Sequence, residues 1–264
     1  MMGCIIGSWN LRTFTGDETK RDIRTMVEII HRERFHVIAL QEIMDTGVNI
    51  FGDEVIKSLA GKGWEYSFGN EDRPRFTREQ YRLGFLWNPR YIEKCPNTGW
   101  SDKLTRMSAA GISRDPVYMS FMSKHGPRYE IRLINVHISY GSTEQERIEE
   151  FKQITGEMKN CIKAQTPIDN KTVYTIILGD YNLTALICNR NEGYGIVTKQ
   201  DEKTTISNYG YSHDYDHFTS DLDLFSRKDV KPQRVDTVKV YMRGDFEQHK
   251  KMLSDHVPIK IEIK

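Results

Sequence analysis

Apolar runs that stop at a polar residue recur along this chain, and they limit what it can fold into. CIIGSW (residues 4–9) leads to Asn10, and HVIALQ (36–41) ends on Gln41 with Glu42 next. LINVHI carries His137 near its end, and TIILG is followed at once by Asp180 and Asn182. Short runs of β-branched and large aliphatic residues, closed by Gly or a polar residue, read as buried strands. Helical signals alternate with them. TKRDIRTMVEIIHRER puts Ile23, Met26, Val27 and Ile30 on one face, and Thr143 with Glu146 forms a capping box opening a helix that turns Ile148, Phe151, Met158 and Ile162 inward. The chain closes on RVDTVKVYMR (234–243) and HVPIKIEI (256–263), both expected as strands, with Asp255 and His256 introducing the last. The polar residues at these boundaries, spread from position 10 to position 256, are what a shared rim at one sheet edge looks like.

A length of 264 residues fits one large α/β domain spanning 1–264, with no repeat, low-complexity tract or long Pro/Gly linker to divide it. The formal net charge of +1 supplies no global basic field, so a polyanion would have to be held by a local patch or a metal. Cys4, Cys95, Cys161 and Cys188 stand far apart without a C-x-x-C pair; free, mostly buried thiols are expected rather than a zinc finger or redox motif. No charged-then-apolar leader precedes the first strand, and no apolar segment approaches the roughly 18 to 20 residues a membrane span needs. The expectation is a soluble cytoplasmic protein without a membrane span.

Carboxylates and an Asn offer hard oxygen ligands, which select Mg²⁺, with Mn²⁺ or Ca²⁺ as alternatives, over zinc. Glu42 is the first candidate ligand. A histidine partnered by a carboxylate can take a proton from water near neutrality, and His137 and His256 are the candidates. Each element alone has a plain structural reading: D-x-N as an Asx turn ending a strand, His137 as a hydrogen-bonded strand histidine. HDYDH (213–217) could place two histidines one helical turn apart on zinc, but no third ligand is evident. Lys250 and Lys251 read as solvated residues or as a basic loop beside the site.

Taken in order, SWNLRTF, ALQEI, REQYRLGFLW, SRDPVY, NVHIS, LGDYN, YDHF and LSDHVPI form a succession that resembles the endonuclease/exonuclease/phosphatase superfamily. N-x-R-T-F (Asn10 to Phe14) and S-R-[DE]-P (Ser113 to Pro116) are most similar to its deoxyribonuclease I branch. The resemblance, running from about Ile5 to the C-terminus, implies a four-layered α/β sandwich of two mixed β-sheets flanked by helices. It also implies a divalent-metal-dependent phosphodiesterase, a DNA endonuclease above all, working as a monomer on nucleic acid.

The implied roles carry over residue by residue. Asn10 and Glu42 would bind or orient the metal, with Asp255 close by. His256 would be the general base and Asp216 its orienting partner, with Asp214 the alternative. His137 would hydrogen-bond the scissile phosphate or aid the leaving oxygen, steadied by Glu79. Asp180 and Asn182 would position nucleophile and phosphate; Arg114 would grip a phosphate oxygen, and Arg12 the backbone nearby. The sequence also departs from the branch. Met44 stands where a minor-groove arginine is usual, Ala185 lies near a missing disulfide cysteine, and the spacing from Glu79 to the F-L-aromatic run is long. The same chemistry on a phospholipid or inositol phosphate, in the manner of a sphingomyelinase, is the alternative, although the inositol phosphatases' PAWCDR-type segment is replaced here by YDHF. A non-catalytic binding module is the third reading.

Overall fold

A computed structural model describes residues 3–15, 20–44, 47, 63–69, 81–95, 105–106, 112, 114–126, 128–141, 143–167, 172–228 and 230–264. Thirteen strands fall among them. The first sheet has the order β12-β13-β1-β2-β4-β3, formed by Gln233–Arg234, Ile259–Ile263, Cys4–Phe14, Val37–Met44, Tyr81–Trp87 and Glu65–Phe68. The second has the order β10-β11-β9-β8-β7-β5, formed by Ile196–Lys199, Asp216–Asp221, Val173–Asp180, Glu130–His137, Val117–Ser123 and Ile92–Lys94, with β6 (Thr105–Arg106) also paired to β7. β1 with β2 and β8 with β9 are parallel pairs; the other pairings are antiparallel.

The strands read as unbroken apolar runs because both faces of each sheet are covered. Between the sheets, Ile6, Val37 and Phe85 of the first meet Phe121, Leu133, Ile176 and Leu178 of the second. On the outer face of the first sheet, Trp9, Ile38 and Leu40 take Met26, Ile29 and Ile30 of helix α1 (Ile23–Arg32). On the outer face of the second, Ile134, Val136 and Ile177 take Ile148 and Phe151 of α2 (Glu144–Gln153) and Ile162 of α3 (Lys159–Lys163). Helix, sheet, sheet, helix is the expected four-layered sandwich. The capping box at Thr143 and Glu146 is present, and one π-helical turn, Ile154–Met158, joins α2 to α3. The remaining helices are α4 (Ala185–Asn191), α5 (Leu222–Phe225), α6 (Thr237–Tyr241) and α7 (Phe246–Met252).

Two expectations are corrected. RVDTVKVYMR contributes only Arg234 to the two-residue strand Gln233–Arg234 and then forms α6, whose N-cap Asp236 accepts the Lys239 amide at 3.1 Å. Its alternation is not one-faced, since Val238 is buried while Val240 is 61% exposed. Lys250 and Lys251 lie in α7 rather than in a loop. Among the described residues no helix is long and apolar enough to cross a membrane.

The topology brings the parallel pairs' C-terminal ends to one rim. β1 and β2 deliver Asn10, paired with Gln41, and Glu42; β8 and β9 deliver His137 in register with Asp180, which is in turn in register with Asp216 at the start of β11. Beneath the rim a polar tie joins the sheets: Gln41 Nε2 donates to Asn135 Oδ1 (2.8 Å), and Asn135 Nδ2 donates to the Leu40 and Gly84 carbonyls (3.0 and 2.8 Å). The β2–β4 register shifts between Leu40 and Ile43. Gly179 is required where β8 and β9 approach: its φ is +143°, and a Cβ there would lie 1.9 Å from the Val136 carbonyl oxygen.

Candidate active site

Asn10 lies at the centre of the site, buried between the sheets, and its Nδ2 donates to Glu42 Oε1 (3.0 Å) and Asp180 Oδ2 (2.9 Å). Its Oδ1 accepts the Arg12 amide (2.9 Å), so the side chain is locked in one orientation. Glu42 Oε2 accepts the Thr13 amide (2.9 Å) and the Thr13 hydroxyl (3.3 Å). His137 Nε2 lies 3.7 Å from Glu42 Oε1 and 3.6 Å from Asp180 Oδ2. Two carboxylate oxygens thus converge on a neutral amide and an imidazole. Burial, with Arg114 and His256 adding repulsion, holds that imidazole well below its ordinary pKa.

His256 stands on the other side of Asp180, its Nε2 3.7 Å from Asp180 Oδ2, and its Nδ1 donates to Asp216 Oδ2 at 2.8 Å. Asp216 is fully buried, and the same oxygen accepts the Thr204 hydroxyl at 2.6 Å. Burial opposes charge on His256, but Asp216 and Asp180 outweigh it and push the imidazole up to about 10. Burial also raises the Asp180 carboxyl, to about 7, with Asp216 adding repulsion against the pull of His256. Trp9 Nε1 donates to the His256 carbonyl (3.0 Å). Ser254 Oγ donates to the Asn10 carbonyl (2.7 Å) and accepts the His256 amide (3.1 Å), tying the last loop to β1. Asp180 Oδ1 accepts the Asn182 amide (2.9 Å), and Asn182 Nδ2 donates to the Ile138 carbonyl (2.9 Å). The Asx turn written by D-x-N is therefore real, and it serves the site.

Backbone strain is concentrated here. Arg12, Thr13, Glu42 and Asn182 have φ of +45°, +49°, +59° and +50°, a region non-glycine residues enter at a cost of about 1–3 kcal/mol. The first three coincide with the register shifts of β1 and β2 between Asn10 and Phe14 and of β2 and β4 between Leu40 and Ile43.

Asp180, Asp216 and His256 each place a ligand-type atom within 4.8 Å of the others. Their geometry is that of a hydrogen-bonded relay, however, because Asp216 Oδ2 already takes both the imidazole and the Thr204 hydroxyl. Glu42 and Asp180, both turned to Asn10 Nδ2, are the pair of carboxylates whose oxygens suit a hard divalent cation.

Asn10, Glu42, His137, Asp180, Asn182, Asp216 and His256 are thus brought together. Arg114 belongs to the same rim: its charge is felt at His137, its guanidinium lies 5.6 Å from the centre of the Tyr81 ring, and its buried Nε and Nη1 make no hydrogen bond. Arg12 and Asp255 face each other at the edge, Nε to Oδ2 3.3 Å, both partly exposed. Glu79 lies outside the described residues. The HDYDH segment runs into β11, and His217 is buried with both ring nitrogens 2.8 Å from backbone carbonyls of Gln200 and Leu183, so they face the backbone rather than a metal shared with His213, whose ring stacks on Tyr215. Asp214 accepts the Ala185 amide (2.9 Å), whereas the carboxylate on His256 Nδ1 is that of Asp216. Thr204 carries no signal in the sequence, since it follows no apolar run; Thr13 and Ser254 stand inside the N-x-R-T-F and LSDH segments, which assign no role to either.

This arrangement is the endonuclease/exonuclease/phosphatase, or deoxyribonuclease I-like, fold. The solved structures similar to the chain include an endonuclease/exonuclease/phosphatase family protein from Bacteroides thetaiotaomicron (15% identity, 98% of this chain and 94% of that one, TM-score 0.62). D. rerio TDP2 complexed with single-strand DNA product is another (14%, 98% and 98%, 0.63), and a mannosyl-6-phosphatase from B. thetaiotaomicron a third (12%, 99% and 100%, 0.61). No protein-family model and no curated protein matches the sequence.

Proposed function

We propose that the chain is a divalent-metal-dependent phosphodiesterase that cleaves nucleic acid, DNA in the first place, as an endonuclease. The observation that carries this reading is the pair His256–Asp216, hydrogen-bonded at 2.8 Å, with its free nitrogen turned toward the pocket that holds Asp180 and Glu42. In its neutral form His256 accepts the proton of the attacking water at Nε2, and Asp216 stabilises the imidazolium that forms. Asp180 and Asn182 orient water and phosphate. His137, held neutral, donates a hydrogen bond to a phosphate oxygen, and the unpaired N–H groups of Arg114 meet the charge that grows there. A Mg²⁺ or Mn²⁺ ion beside Glu42, positioned by Asn10, would supply Lewis-acid stabilisation of that charge. Arg12 at the edge contacts the nucleic-acid backbone.

Purified protein is incubated with supercoiled plasmid, single-stranded DNA, RNA, sphingomyelin and inositol phosphates, with Mg²⁺ or EDTA, beside His256→Ala. Metal-dependent cleavage of DNA, lost in the variant, is expected. Turnover confined to lipid or inositol phosphate would overturn the proposal.

A further inference from the structure

The rim beside Asn182 carries an aromatic wall that the hydrolytic chemistry does not use. Three residues past His137 the chain reaches Tyr140. It is held at this place because the Ile138 amide donates to the Asp180 carbonyl (2.9 Å) while Asn182 binds the Ile138 carbonyl. Tyr140 is 62% exposed. The Arg147 guanidinium sits 4.9 Å from its ring centre and also donates to the Tyr140 carbonyl, so ring and backbone are braced from one side. Tyr215, immediately before Asp216, accepts the Tyr181 amide on its carbonyl (2.8 Å) and lies within electrostatic reach of Tyr140, Arg147 and Asp180. The exposed His213 ring stacks on Tyr215, with centres 4.7 Å apart and planes 8° from parallel.

We propose, resting on the nuclease reading above, that Tyr140 backed by Arg147 is a platform on which an unpaired nucleobase next to the scissile phosphate stacks. The site then favours single-stranded or frayed nucleic acid over closed duplex. A base inside a duplex has both faces covered by its neighbours, so a ring fixed at the rim can stack only on one that is unpaired or terminal. The cation on one face of Tyr140 points to the same ligand. It attracts the adjacent phosphate, and it disfavours a quaternary ammonium headgroup, which would compete for the same ring. The His213–Tyr215 pair offers a second planar surface on the same wall.

The test compares wild type, Tyr140→Ala and Tyr140→Trp on a single-stranded oligonucleotide, on an abasic oligonucleotide of equal length, and on a closed hairpin duplex. The single strand is expected to be the better substrate of wild type. In Tyr140→Ala its KM should rise about tenfold with kcat within about twofold, Tyr140→Trp should restore KM, and the abasic strand should show no such rise. An equal rise on both strands, or none on either, overturns the platform. Anisotropy with the same two strands in EDTA reads the base-dependent loss of binding by itself. If wild type cleaves no nucleic acid, the nuclease reading fails, while the binding difference still decides the platform.

Discussion

Replacing Asp216 by Asn separates charge from geometry in the His256 dyad, because of how the carboxylate is used. One oxygen, Oδ2, takes both hydrogen bonds, from His256 Nδ1 (2.8 Å) and Thr204 (2.6 Å), while Oδ1 is buried with no hydrogen-bond partner. An Asn whose oxygen replaces Oδ2 retains both bonds and leaves its NH₂ in the unpartnered position, at a cost in stability of about 1–3 kcal/mol. What is lost is the negative charge facing the imidazole. A charge-assisted hydrogen bond of this kind contributes about 1.5–3 kcal/mol, equivalent to about one to two pKa units. His256, held near 10 in the native protein, should therefore titrate about one to two units lower, the rising limb of the kcat–pH profile should move down with it, and the limiting kcat at high pH should fall by about 10- to 100-fold, with KM little changed. The stability consequence has a definite sign. A group whose pKa is raised on folding stabilises most below its unfolded value of 6.5, and that contribution is lost as pH rises toward 10. Asp216→Asn should flatten this part of the pH–stability curve. The assays are NMR titration of the imidazole, steady-state kinetics and urea unfolding from pH 6 to pH 10. A His256 pKa that stays near 10 in the variant, or a limiting kcat within twofold of wild type, would refute the dyad as the source of both effects.

Metal binding should release protons near pH 8, since a cation beside Asp180 and Glu42 opposes the imidazolium of His256. Calorimetry in two buffers of different ionisation enthalpy should show up to about one proton expelled, and Glu42→Gln should weaken the ion by about tenfold or more; heats that do not depend on the buffer contradict this. Gly179→Ala should cost about 3 kcal/mol or more, from the Val136 carbonyl clash and the φ of +143° together, and a urea midpoint shifted by less than the equivalent of about 0.5 kcal/mol would show that β8 and β9 can part without penalty.

The rim was legible in the sequence because a strand buried on both faces must be apolar until it surfaces, so each polar residue at its end marks a place where the sheet meets solvent or a ligand. Asn10, Glu42, His137 and Asp180 were all found this way. The helix at Thr237–Tyr241 was not: Val235, Val238 and Val240 imitate a strand, and only the Asp236 cap and the exposure of Val240 reveal the helical turn. Asp255 comes near the metal only through the family resemblance. In the structure its carboxylate pairs with Arg12, Nε to Oδ2 3.3 Å. Thr204 lies in a polar run with no periodicity, and its role arises only from the bridge that sets Thr205 against His256.

The strain at Arg12, Thr13, Glu42 and Asn182 shows why the site is built on these two sheets. Residues held at positive φ revert to relaxed conformations unless the chain on both sides is fixed. Here the fixing elements are β1 and β2, buried on both faces, and the Gln41–Asn135 tie that locks one sheet to the other directly under the rim. The same tie prevents the sheets from sliding, and a slide would separate Asn10 from Asp180, whose 2.9 Å hydrogen bond crosses from one sheet to the other. Glu42 and the His256 relay are therefore positioned by a polar contact inside the sandwich. Loosening that contact should disorder the site before it unfolds the protein.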